Sequence, residues 1–122
     1  LPWRNTQDPY KIWLSEVILQ QTRVDQGLPY YNKFVKNYPE IKDLAQAPED
    51  QVLRDWQGLG YYSRAKNLQK TAKYIFEELD GNFPKTYNEI LALKGIGEYT
   101  AAAIGSFAFK IKQAAIDGNV LR

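Results

Sequence analysis

The chain has 122 residues, 44% hydrophobic and 25% charged, with 16 Lys/Arg against 14 Asp/Glu for a formal net charge of +2, enough apolar material for one core and too little for two. It contains no Cys and no His, which excludes a disulfide framework, a thiol nucleophile, a Ser/His pair and the usual zinc or iron sites within these residues. No apolar run approaches the length of a bilayer span and the opening Leu1-Pro2-Trp3-Arg4 lacks the regions of a secretory signal, so a cytoplasmic protein without membrane partners is expected.

Short helical segments separated by turn signals, with no sustained period-two alternation, predict an all-α fold. Asp8-Pro9 supplies a cap and a proline at the first helical position, opening a helix that ends near Gln21 and carries Tyr10, Trp13, Leu14, Val17 and Ile18 on one side. Glu16 stands within it among Ile12, Trp13, Leu19 and Gln20, with no basic neighbour at helical spacing. Two readings stay open. Either the glutamate points to water between apolar stripes, or it is buried, where desolvation favours the protonated form that a general acid needs.

A second helix is expected to reach about Tyr38, with Leu28, Tyr31, Phe34 and Val35 facing the core, a bend at Pro29 and a stop at Pro39. A short helix over 41–47 follows. Pro48-Glu49 starts another, carrying Val52, Leu53 and Trp56 before Gly58 and Gly60 end it. A longer helix is expected from about Tyr62 to Leu79, with a basic excess around Arg64, Lys66, Lys70 and Lys73, of which 66, 70 and 73 share one helical face as a stripe. Such a stripe is either a solvated face or a surface for phosphates.

Asp80-Gly81-Asn82 closes that helix, and Thr86-x-x-Glu89 has the pattern of a capping box ahead of Ile90, Leu91 and Leu93. Lys94-Gly95-Ile96-Gly97 then joins two helices through two glycines around one apolar residue, and Glu98-Tyr99-Thr100 begins the second. This is a helix-hairpin-helix pattern. Its turn lets backbone amides at a helix N-terminus meet an anion such as a DNA phosphate, while the plain alternative is a glycine-capped corner. Near the end, Asp117-Gly118-Asn119 places a carboxylate in a tight turn. Asp117 is either a cap or the partner of Glu16 in a two-carboxylate site for cleaving glycosidic bonds.

Five blocks in order, Leu1 to Arg4, Trp13 to Thr22, Gly58 to Arg64, Gly95 to Thr100 and Asp117 to Val120, resemble those of the A/G-specific adenine DNA glycosylase (MutY) family. The resemblance covers nearly the whole chain. It implies the six-helix barrel lobe of a helix-hairpin-helix glycosylase, acting in base-excision repair on adenine opposite 8-oxoguanine or guanine in duplex DNA. By that resemblance Glu16 protonates the base and Asp117 stabilises or traps the sugar cation. Tyr99 and Asn119 orient the acids and the sugar. Gln21 and Tyr61 wedge into the duplex, Thr22 and Leu59 lie near the orphaned base, and Trp3 and Arg4 line the adenine pocket. Arg64, Lys94, Gly95, Ile96, Gly97 and Thr100 fall in the DNA-binding blocks. Tyr99 stands where bifunctional relatives carry a Schiff-base lysine, which implies hydrolysis without strand cleavage.

The family also carries a [4Fe-4S] cluster on four cysteines and a Nudix-like C-terminal domain, neither within these residues, so the chain is expected to be one lobe of a longer protein. A monomer on DNA in a bacterial, nucleoid-associated setting is the matching expectation. Two alternatives are a thymine mismatch glycosylase of the same superfamily and a non-catalytic helix-hairpin-helix DNA-binding module.

Overall fold

The computed structural model describes residues 8–20 and 22–109. These residues form seven helices and no strand: α1 (Pro9–Ile18), α2 (Val24–Asn37), α3 (Ile41–Gln46), α4 (Glu49–Trp56), α5 (Tyr62–Glu78), α6 (Tyr87–Leu91) and α7 (Glu98–Phe109). Asp8 caps α1, its Oδ1 accepting from the Tyr10 amide at 3.0 Å, and Pro9 takes the first position.

Seven of the ten residues of α1 are buried. α2 packs against one side and α7 against another, so Ile12 and Ser15 are buried along with the apolar stripe legible in the sequence. Ser15 meets burial by donating its hydroxyl to the Ile12 carbonyl at 2.7 Å. Glu16 is half-buried. The helix closes at Ile18, a little before the expected Gln21, and continues as a turn in which the Thr22 amide donates to Leu19 O at 3.2 Å.

α2 keeps its helical course through Pro29, which is exposed, and ends at Asn37 just ahead of Pro39. The core joins Phe34 to Trp56 edge-to-face at 5.9 Å and Trp13 to Phe83 at 5.4 Å. Aromatic pairs at such distances add about 0.5–1.5 kcal/mol beyond their area burial. α5 packs on both α3 and α4, and Gln69 on its buried side donates to the carbonyls of Leu44 and Ala47 at 3.2 and 2.6 Å, satisfying the end of α3.

At α6, the Thr86 hydroxyl accepts from the Glu89 amide at 3.3 Å and donates to Glu89 Oε1 at 2.7 Å. The predicted box therefore closes its second half between side chains. α6 and α7 pack together and form the hairpin, with α7 laid against α1.

Candidate nucleic-acid interface and glycosidic-bond site

The C-terminal end of α1 is where the site residues gather. A cavity of about 40 Å³ is lined there by Trp13, Val17 and Gln20 from α1 and its exit, by Arg64 and Asn67 of α5, and by Lys94 and Gly95 of the hairpin. Glu16 precedes Val17 and lies one helical turn before Gln20.

The hairpin turn is held from below. Thr71 of α5, itself buried, donates its hydroxyl to the Lys94 carbonyl at 2.6 Å. Gly95 has φ +79°, the left-handed region open to glycine at little cost, and the Gly97 carbonyl accepts from the Ala101 amide at 2.9 Å to start α7. Ile96 and Thr100 are buried, so their side chains serve packing and only their backbone is left to the hairpin's expected amide contacts. The outward positions are Lys94, Gly95, Gly97, Glu98 and Tyr99, the last 92% exposed on the first turn of α7.

The second segment is the loop between α4 and α5. Gly58 at φ +103° and Gly60 at φ +77° turn the chain back, and the Trp56 indole donates to Gly60 O at 2.9 Å. Tyr61 follows at φ 52°, ψ 63°, a left-handed conformation that costs a residue with a side chain about 1–2 kcal/mol. The residue is nonetheless 67% exposed. Thr22 and Leu59, both half-buried, share a groove of about 360 Å³ with Gln26 and Tyr30, so the structure brings these two candidates together.

Arg64 faces away from the lysine stripe, about 200° round the helix axis from Lys66. Lys66, Lys70 and Lys73 are exposed, whereas Arg64 turns toward α1 and donates from Nη1 to Val17 O at 2.8 Å and to Gln20 O at 2.7 Å. Its guanidinium lies 5.1 Å from the Trp56 ring centre and 5.7 Å from that of Tyr61. Burial lowers its pKa from the ordinary value while Tyr61 acts in the opposite sense, and a guanidinium stays charged at neutral pH. The inward turn of Arg64 was not legible in the sequence, because its partners stand 47 and 44 residues away.

Sequence reasoning also passed over Thr71, which anchors the hairpin, and Asn67, which lies close to Gly95. A hydroxyl on the inner face of α5 was the available signal for Thr71. Trp3, Arg4, Gln21, Asp117 and Asn119 lie outside the described residues. Among the described residues no group of three His, Cys, Asp or Glu could hold a metal ion, and no helix is long and apolar enough to cross a membrane.

An all-helical domain whose two-glycine hairpin is packed beside the helix carrying Glu16 has the architecture of the helix-hairpin-helix glycosylase class. The chain belongs to the HhH-GPD superfamily of base excision DNA repair proteins, whose family model matches residues 14–122. It is similar to proteins named adenine DNA glycosylase from Buchnera aphidicola subsp. Baizongia pistaciae (strain Bp), 49% identical over 122 residues, and from Mus musculus, 44% identical over 131. All of this chain is covered in both matches, against 35% of the bacterial protein and 25% of the mouse one, so the chain spans about a third or less of these relatives. Among solved structures it resembles a thermostable thymine-DNA glycosylase with TM-score 0.83 and 33% identity, over 89% of this chain and 51% of that one. A non-covalent endonuclease III–DNA complex shares the fold at TM-score 0.76 and 24% identity, over 83% and 48%.

Proposed function

We propose that this chain is the catalytic lobe of a DNA glycosylase that hydrolyses the N-glycosidic bond of adenine mispaired with 8-oxoguanine or guanine. The observation that carries the reading is Glu16, a half-buried carboxylate on the largely buried helix α1 of a chain similar over its whole length to proteins named adenine DNA glycosylase.

The target base must leave the stack to be reached, at a cost of a few kcal/mol. The Tyr61 ring, held outward, fills the gap together with Gln21, while Thr22 and Leu59 meet the orphaned base. Hairpin amides and Lys94 take the phosphates. Protonated Glu16 gives its proton to a ring nitrogen of adenine, and the bond to the sugar breaks with its electron pair passing to the base. In this reading Asp117 stabilises or traps the resulting cation, Glu16 as carboxylate then takes a proton from the attacking water, and Tyr99 and Asn119 orient the acids and the sugar. With tyrosine at 99 in place of a lysine, the product is an intact strand with an abasic site. The chain has no cysteine and so does not fit the donor set of a [4Fe-4S] cluster. No step here involves one, and we assign the family's cluster to a longer parent chain.

The test is single-turnover release of adenine from a duplex with adenine opposite 8-oxoguanine, using the longer parent chain and its Glu16→Gln variant. The expected result is release by the parent and a loss of about 10²- to 10⁴-fold in the variant, with mismatch binding kept. Normal release by Glu16→Gln would remove Glu16 from the acid role. The likeness to the thymine-DNA glycosylase supports one second reading. Release of thymine opposite guanine, with adenine untouched, would establish it.

A further inference from the structure

We infer that Arg64 is a positioning residue for the reaction just proposed, tying the exposed Tyr61 ring to the exit of the helix that carries Glu16. The inference rests on that proposed function. It adds a role for a residue that contacts neither the base nor the sugar in that mechanism.

The contacts of Arg64 reach both segments at once. Its backbone amide donates to the Tyr61 carbonyl at 2.9 Å, which fixes the first turn of α5 onto the left-handed tyrosine. Its side chain crosses to α1, where Nη1 is shared between the carbonyls of Val17 and Gln20. Val17 is the residue after Glu16, and Gln20 the residue before Gln21. The same guanidinium plane lies near both Trp56 and Tyr61. A single side chain therefore spans the acid's helix, the loop carrying the wedge and the tryptophan that holds that loop through Gly60.

The energetics argue against an incidental contact. A cation at the negative end of a helix dipole is favourable. Two further donors of Arg64, Nε and Nη2, are nevertheless buried without a hydrogen-bond partner among the described residues, which opposes that gain. Tyr61 adds backbone strain with little burial in return. Strain persists only where its surroundings over-determine the conformation. Here the surroundings are Gly58, Gly60, Trp56 and Arg64, and of these only Arg64 also bonds to α1.

Lysine cannot fully replace arginine at this place. An ammonium can donate to the two carbonyls, but it has no planar face to set against two rings. Arg64→Lys should thus retain the tie to α1 and weaken the hold on Tyr61, and Arg64→Met should lose both while keeping an apolar stem.

The experiment uses the longer parent chain as wild type, Arg64→Lys, Arg64→Met, Tyr61→Ala and the Arg64→Met/Tyr61→Ala double variant. Single-turnover adenine release and mismatch affinity are measured on each, with thermal unfolding as the check on folding. Arg64→Met is expected to slow release by about 100-fold, the size of effect a small misplacement produces, with duplex affinity within threefold. Arg64→Lys is expected to recover part of that rate. In the Tyr61→Ala background, Arg64→Met should cost much less, because residues acting through one another give non-additive effects. Additive losses, or equal loss in Lys and Met variants that fold normally, would overturn the positioning role.

Amide hydrogen exchange supplies a readout independent of activity. In Arg64→Met, protection should fall both at 58–64 and at 17–22 while other helices keep theirs. Unchanged exchange at either segment would sink the inference. A parent that releases no adenine defeats the glycosylase reading instead, and the exchange result still decides whether Arg64 couples the two segments.

Discussion

A β carbon placed ideally on Gly95 would lie 3.1 Å from Asn67 Cβ, so the hairpin turn meets α5 at the limit of ordinary contact through a position with no side chain. Two constraints coincide there, the neighbour and the backbone φ of +79°. Gly95→Ala is expected to destabilise the fold by about 1–3 kcal/mol and to weaken duplex binding. Adding Asn67→Gly should return only the contact part of the loss. Urea unfolding of the wild type and the two variants measures this, and a loss below about 0.5 kcal/mol on Gly95→Ala, the scatter of ordinary surface substitutions, would contradict it.

The hairpin's second anchor is the bond from Thr71 to the Lys94 carbonyl, made by a hydroxyl on a residue that is only 2% exposed. Thr71→Val preserves the side-chain shape and removes the donor, leaving a carbonyl without its partner. The expected cost is about 1 kcal/mol in stability. Because the outward face of the turn is set by this anchor, affinity for an undamaged duplex should fall by a fewfold in the same variant. Wild-type affinity together with reduced stability would mean that the turn keeps its shape without Thr71.

Local signals carried most of the fold. Asp8-Pro9, Thr86 and the glycine pairs at 58/60 and 95/97 each act within a few residues, and the elements begin and end close to them. What escaped was set by distant partners. The sequence gives α1 one apolar stripe, yet α2 and α7 enclose it from two sides and bury Ile12 and Ser15 as well. The inward turn of Arg64 depends on carbonyls beyond 40 residues away, and no periodicity within α5 encodes them. For the candidate site, Thr22 and Leu59 do share a groove, and Lys94 with Gly95 reaches the end of α1. A turn signal at Gly58 and Gly60 announced a loop without revealing that Tyr61 itself takes the left-handed conformation.

Stability at alkaline pH should report on Tyr38. Its hydroxyl donates to Asp55 Oδ2 at 2.6 Å, and burial first, then that bond, raises its pKa well above the ordinary value of 10.0. Tyr10, whose hydroxyl donates to the Tyr38 carbonyl, is raised chiefly by burial as well. The unfolded chain therefore loses these protons first, and the stabilisation present below about pH 10 declines as pH rises beyond it. Tyr38→Phe should be less stable near neutrality by about 0.5–1.5 kcal/mol and show a shallower decline above pH 10. Parallel curves for wild type and variant would refute the assignment.

The exposed stripe of Lys66, Lys70 and Lys73 can be separated from the hairpin by its response to salt. A lysine that neutralises a DNA phosphate releases condensed counterions, and each such contact contributes about 0.9 to the slope of log affinity against log salt. If all three bind phosphates, the Lys66→Gln/Lys70→Gln/Lys73→Gln variant of the longer parent chain should lose roughly 2–3 from that slope, with nearly equal effects on matched and mismatched duplexes. The fold and the proposed base release should be little changed at saturating enzyme, because none of the three side chains enters the core or the end of α1. Duplex titrations between low and moderate salt give the slope directly. An unchanged slope would assign the stripe to solvent and leave the outward hairpin positions, with Lys94, as the source of phosphate binding.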